Sequence, residues 1–203
     1  MAKNADAKRV KILEAAKRRF AHYGLAKTTM AEIAQDLSFS KALLYYYFPD
    51  KNRLYAAVFE MAVDEIVNET TEKIAQSKSV NEAMEAFLCT RLRIIKDNFN
   101  LFEFSYSLRN EMPPDIEAIL PSLFEKEIKQ VCLVLRKGVE TKEIDVEEIE
   151  ITAKILLISL LGMRIGILQE FKNLFLPPSK EEFDYILNLQ KKLAKIFING
   201  LRV

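Results

Sequence analysis

An all-α fold follows from three features of this 203-residue sequence. Apolar residues recur at three- and four-residue spacing along nearly its whole length, and Gly and Pro are confined to a few breaks. No run alternates apolar with polar residues as a half-buried strand does. Half of the residues are hydrophobic, which provides for a sizeable core and excludes a disordered chain. The breaks divide the chain into about nine helices.

The first helix is predicted over residues 6–23. Ile12, Leu13, Ala16 and Phe20 form its apolar stripe. Lys8, Arg9, Lys11, Lys17, Arg18 and Arg19 fill the other faces, and Gly24 is a natural stop. A second helix opens at Thr29, with Glu32 at capping-box spacing and Ile33, Ala34 and Leu37 on one face. After Ser38 and Phe39, Ser40 caps a third helix. Its Leu44, Tyr47 and Phe48 point inward, while Lys41, Ala42, Tyr45 and Tyr46 line the opposite side. Pro49 ends it, and Asp50 caps a long fourth helix carrying Leu54, Val58, Met61 and Ala62. Two short helices around a tight turn, the second presenting a cation and two phenols, form a helix-turn-helix with the recognition helix second.

Ser79 caps a fifth helix through Ala83, Phe87, Leu88 and Leu92. Asn98 and Asn100 mark a break, and an aromatic-rich helix is expected over residues 101–111, ended by Pro113 and Pro114. The next helix spans 116–137, with Pro121 acceptable only in its first turns or at a kink. Gly138 and the charged stretch 140–143 connect it, with or without a further helical turn past Gly138, to a long, nearly all-apolar helix over 146–171. Pro177 and Pro178 precede the last helix, 180–199, which Gly200 stops.

The chain carries a net charge of +1, which excludes a polyelectrolyte binder acting through overall charge. The charge is unevenly distributed. Residues 1–60 hold eleven Lys/Arg against six Asp/Glu, a local excess of +5 that leaves −4 for the remainder. A basic end on a mildly acidic body fits a protein that presents that end to a polyanion. Cys89 and Cys132 are far apart and form no metal or CxxC spacing, so buried thiols in a reducing compartment are expected. The single histidine, His22, reads as a helix C-terminal or surface residue, and no catalytic or metal-ligating constellation is present. The N-terminus lacks the apolar run of a signal peptide. The most apolar window, 151–168, is interrupted by Lys154 and Arg164 and falls short of the ~20 residues that span a bilayer. A soluble, cytoplasmic protein without cofactor or membrane partner is expected.

Residues 8–55 resemble the DNA-binding domain of TetR-family transcriptional regulators. The resemblance lies in Phe20 and Gly24, Thr28-Thr29, Ile33-Ala34, Ser40-Lys41, Leu44-Tyr45, Phe48, and Lys51 with Leu54, in family order and spacing. It implies a helix-turn-helix DNA-binding domain over 1–53 and a C-terminal effector-binding and dimerisation domain over 54–203. Thr28, Thr29, Tyr45 and Lys51 are then expected on phosphates, and Lys41, Ala42, Leu43 and Tyr46 in the major groove. Ser40 combines capping with a place on the DNA-facing side. The chain departs from the family at Ser38-Phe39, where Gly-Val is usual, and at Ala42-Leu43, where Gly-Thr is frequent. Leu43 exchanges a hydroxyl for an apolar group suited to a thymine methyl.

The resemblance further implies a ligand cavity among the middle helices, for which Phe102, Tyr106, Arg109, Phe124 and Met163 are the candidate residues. Phe99, Phe104, Met112, Phe171 and Phe175 extend the same aromatic and Met set. An apolar or amphipathic small molecule suits such walls, with Arg109 or Arg91 to meet an anionic end. Core packing accounts equally for aromatic residues at helical spacing. In the last two helices, Ile155, Ile158, Gly162 and Ile165 face Ile186, Leu189, Leu193 and Ile196 as a candidate four-helix dimer interface. The function expected is a homodimeric, effector-responsive repressor of a near-palindromic double-stranded DNA operator. The alternatives are a helix-turn-helix adaptor acting through protein contacts and, least favoured, a helical enzyme using the C-terminal cavity.

Overall fold

The computed structural model describes residues 2–105, 112–170 and 179–202. They form eight α-helices and one 3₁₀ helix: α1 Ala2–Lys27, α2 Met30–Asp36, α3 Lys41–Tyr47, α4 Lys51–Gln76 and α5 Val80–Asp97, then the 3₁₀ helix Phe99–Ser105, then α6 Pro114–Glu140, α7 Ile149–Glu170 and α8 Lys180–Asn199. Among the described residues the one β-type pairing is an isolated bridge between Ile144 and Arg202.

The helix starts follow the side-chain chemistry of the sequence. Thr29 and Ser179 form complete capping boxes with Glu32 and Glu182. The side chains of Ser40, Asp50 and Ser79 each accept the backbone N–H three residues on. Such caps satisfy N–H groups that have no intrahelical partner and contribute roughly 1 kcal/mol apiece.

Four elements differ in their bounds from expectation. Helix α1 extends to both sides of residues 6–23, but its path breaks at Gly24, where φ is 76° and ψ 173°. The aromatic segment begins at Phe99 as a 3₁₀ helix, and its expected continuation over 106–111 lies outside the described residues. Helix α6 begins at Pro114, whose missing N–H costs nothing at a first position. It takes the longer of the two expected ends, running past Gly138 to Glu140. A Cβ there would lie 2.8 Å from the Ile144 side chain, so Gly138 admits the returning chain instead of ending the helix. Helix α7 begins at Ile149 rather than Val146.

Two apolar clusters hold the molecule together. The first joins Phe20, Ile33 and Leu44 of the N-terminal helices to Tyr55, Ile95, Leu101 and Ile116. The second gathers Val80, Val131, Leu135, Leu156 and Ile198 at the other end. A fully buried aliphatic side chain stabilises by ~1.5–3 kcal/mol, so the first cluster fixes the N-terminal helices on the body. The expected division at residues 53 and 54 falls inside the unbroken helix α4.

Residues 149–168 of α7 form a helix of 20 residues with mean hydropathy 1.9. The helix therefore has the length and composition to cross a membrane, which corrects the expectation that this segment is too short. Its inner side packs Ala153, Leu156, Leu157 and Leu160 into the second cluster, as the core helix of a globular protein does. Cys132 is buried as expected, and its thiol is pushed up by burial, whereas Cys89 is only half-buried.

Candidate functional site

The N-terminal head is built on the end of α1. Gly24 turns the chain sharply, and side chains satisfy the carbonyls the helix leaves there. The Thr28 hydroxyl donates to the Gly24 carbonyl at 2.8 Å, and the Lys51 ammonium donates to the Leu25 carbonyl at 2.8 Å. Thr28 is fully buried. Its side chain therefore secures the α1–α2 turn and does not reach a phosphate, which corrects the sequence expectation. Lys51 is half-buried and keeps its other N–H groups for a further acceptor.

Helix α2 is locked by Arg19, whose Nε lies 2.6 Å from Asp36 Oδ2 and whose Nη2 lies 2.8 Å from Oδ1. This bidentate pair holds the Asp36 carboxyl below the usual carboxylate range. Glu32 is lowered as well, chiefly by the hydrogen bond from Thr29. Thr29 is exposed, but its hydroxyl already donates to Glu32 at 2.7 Å, so a phosphate there competes for that proton. The turn between the helices passes through Ser38 at φ 54°, a left-handed conformation for a residue with a Cβ.

Helix α3 is anchored by Leu44, fully buried, and by Phe48, over whose ring the Arg9 guanidinium lies at 5.3 Å. Its outer side presents Lys41, Ala42, Tyr45 and Tyr46 to solvent, Tyr46 with 81% of its surface exposed. Leu43 and Tyr47 are half-buried at its margins. Ser40 is exposed at its N-terminus and caps Leu43 at 3.2 Å. An amphipathic helix N-terminus, one cation and two phenols on one convex surface have the chemistry to meet phosphates and base edges together.

The body holds a cavity of about 560 Å³, open to solvent on one side, between α4, α5, α6 and α7. Phe59, Val63 and Ile66 of α4 form one wall, and Leu120, Leu123 and Phe124 of α6 face them. Of the candidate pocket residues, Phe102 and Phe124 line it. Met163 packs half-buried against the first core cluster and is not in the lining, which corrects its assignment. Tyr106 and Arg109 lie outside the described residues, as do Phe171 and Phe175. The polar end was not foreseen in full. Arg91 is ion-paired to Glu127 at 2.7 Å, and Arg164 and Glu117 join them in the lining. Arg164 is buried, and the signal for it was a cation interrupting an otherwise apolar helix. Pro121 also lines the cavity, and it offers no N–H to the carbonyl one turn before it.

A third surface lies along α7 and α8. Ile151, Ile155, Ile158 and Ile165 are each about half exposed, at alternating spacings of four and three with Gly162 between them. Nothing lies within 4 Å of a Cβ built on Gly162 or Gly166. Ile196 of α8 is 70% exposed, and Leu189 and Leu193 are half-buried beside it. Ile186 is fully buried in the first core cluster and takes no part in this surface, because α8 turns that side toward the body. Among the described residues no group of three or more His, Cys, Asp or Glu is placed to hold a metal ion.

Comparison with known proteins adds to this geometry. Residues 12–58 match the family model described as bacterial regulatory proteins, tetR family. The chain is 26% identical over 168 residues to the HTH-type transcriptional regulator YfiR of Bacillus subtilis (strain 168), covering 81% of this chain and 80% of that one. A crystal structure of a transcriptional regulator from Cytophaga hutchinsonii ATCC 33406 superposes with a TM-score of 0.81 at 29% identity, covering 95% of this chain and 97% of that one. A putative TetR-family regulator from Mesorhizobium loti MAFF303099 shares the fold alone, with a TM-score of 0.73 at 18% identity and 98% of each chain covered.

Proposed function

The chain is a TetR-family transcriptional regulator, and from that premise we propose that it acts as a homodimeric repressor released from its operator by a small apolar or amphipathic effector. The observation that carries the reading is α3, held from behind by buried Leu44 and Phe48 and turning Lys41, Tyr45 and Tyr46 outward. In a dimer two such helices enter successive major grooves ~34–36 Å apart or a small multiple of a turn, which calls for a near-palindromic operator.

Helices α1–α3 with the first turn of α4, residues 1–53, are the DNA-reading part, and residues 54–203 bind effector and pair the subunits. Thr29, Ser40, Tyr45 and Lys51 are assigned to phosphates, and Lys41, Ala42, Leu43 and Tyr46 to base edges. The cavity holds the effector, with the apolar walls taking its body and the Arg91, Glu127 and Arg164 end taking a polar group. The half-exposed isoleucines of α7 and Ile196 of α8 form the subunit interface, and burial there accounts for so apolar a surface without a membrane. The role is regulatory, not enzymatic, and its place is with DNA in the cytoplasm.

An effector releases the operator only if it binds more tightly to the state in which the two heads are wrongly spaced, typically by 1–3 kcal/mol of coupling. A gel-shift titration on the duplex upstream of its own gene tests the reading. Saturable binding that outlasts excess random duplex supports it, and binding indistinguishable from random duplex removes it.

A further inference from the structure

The 3₁₀ helix Phe99–Ser105 touches the head, α4 and the cavity with three consecutive residues. The Asn100 side chain donates from Nδ2 to the carbonyls of Ala21 at 3.1 Å and His22 at 2.8 Å. Both carbonyls lie in the last turn of α1 before the bend at Gly24. The Leu101 carbonyl accepts the hydroxyl of Tyr55, a fully buried residue of α4, at 2.7 Å. Phe102 is buried against Phe59, with ring centroids 5.1 Å apart, and both rings line the cavity.

The segment is suited to move as a unit. Asn98 fixes its origin by donating from Nδ2 to the Ile94 carbonyl at the end of α5. A 3₁₀ helix has poorer hydrogen-bond geometry than an α-helix, and short stretches of it serve as hinges. Phe102 itself departs from helical geometry, at φ −100° and ψ 16°. A molecule entering the cavity meets Phe102; two residues before it, past the Leu101 carbonyl held by Tyr55, Asn100 grips α1.

We propose that Asn100 is the positioning residue through which the state of the cavity sets the angle of the DNA-binding head. The proposal rests on the DNA-binding reading above. Helix α1 carries Arg19, which holds α2, and Arg9, which lies over Phe48 at the end of α3. A displacement of its last turn therefore reaches both helices of the reading unit.

The test is a double-mutant cycle on operator affinity, using a duplex selected by the wild-type protein from a random library. Leu120→Trp and Phe124→Trp, which fill the cavity from α6, stand in for an occupant, and Phe102→Ala loosens its wall. At least one of the three is expected to change wild-type affinity by fivefold or more, within the usual range of allosteric coupling. In Asn100→Ala the same change is expected to alter affinity by less than twofold. Asn100→Asp keeps the size but loses the amide donors, and it is expected to uncouple in the same way. It therefore serves if the alanine variant melts too low for assay. Equal effects in both backgrounds overturn the proposal, because Asn100 is then only a structural cap. So does an affinity indifferent to all three cavity changes. Failure to select any duplex is a different result, and it removes the DNA-binding reading on which the proposal stands.

Discussion

Arg19 grips Asp36 with two parallel hydrogen bonds, tying the middle of α1 to the last residue of α2. This pair has a pH signature. Asp36 is held below its ordinary range, chiefly by the Arg19 hydrogen bond, so its contribution to stability is fully present above the unfolded pKa of about 3.9. That contribution is lost as pH falls through the lower folded value. Asp36→Asn should therefore melt a few degrees below wild type at pH 7, by an equal margin down to about pH 5. The two melting curves should converge only as the pH falls through that lower folded value. A gap that persists at low pH would assign the effect to packing. Because both side chains are partly exposed, salt should also narrow the gap.

Two backbone positions of the head carry opposite predictions. Gly24 sits at φ 76° and ψ 173°, a region only glycine adopts readily, so Gly24→Ala should cost ~1–3 kcal/mol in chemical denaturation. Ser38 sits at φ 54°, where a Cβ is a burden, so Ser38→Gly should stabilise by up to ~1 kcal/mol. The serine variant should gain stability without changing the outward face of α3, because Leu44 and Phe48 still seat that helix.

Thr28 and Lys41 separate structure from recognition. Thr28→Val removes the donor to the Gly24 carbonyl in a buried turn and should cost ~1–3 kcal/mol of stability. Operator affinity of the folded variant should stay within about twofold. Lys41→Ala should do the reverse, since Lys41 is exposed. Its melting temperature should match wild type, while operator affinity falls and the slope of log K against log salt shrinks by about one. An unchanged salt slope would take Lys41 off the DNA.

The uneven legibility of these features has a physical basis. Helix caps are local, and Thr29, Ser40, Asp50, Ser79 and Ser179 lie within three residues of the N–H groups they satisfy. The helical periods, and with them the inward placement of Leu44 and Phe48, are local too. The role of Thr28 is not legible in sequence because its partner, the Gly24 carbonyl, is brought to it only by the bend at that glycine. Ile186 and Met163 sit elsewhere than expected because a helical period records which residues share a face, not whether that face meets the body or a partner. The Asn100 grip on α1 spans 78 and 79 residues of sequence, beyond the reach of any periodic signal.

Gly162 offers the sharpest test of the proposed subunit interface. It lies on the outer side of α7 between half-exposed Ile158 and Ile165, with no atom within 4 Å of where a Cβ would stand. Within one protomer a leucine there meets open space and replaces a glycine, which weakens a helix interior, a gain of roughly 1 kcal/mol. In a dimer the same side chain stands where two α7 helices approach each other, and it holds them apart. Gly162→Leu should therefore leave the monomer folded and more resistant to denaturant while weakening self-association, as read by sedimentation at micromolar concentration. Operator affinity should fall with it, because each subunit supplies one reading head and the second half-site is lost. Ile158→Glu checks the result by a separate route, because its carboxylate is solvated in the monomer and is desolvated without a partner on association. If both variants remain dimeric with unchanged affinity, the subunits pair through another surface.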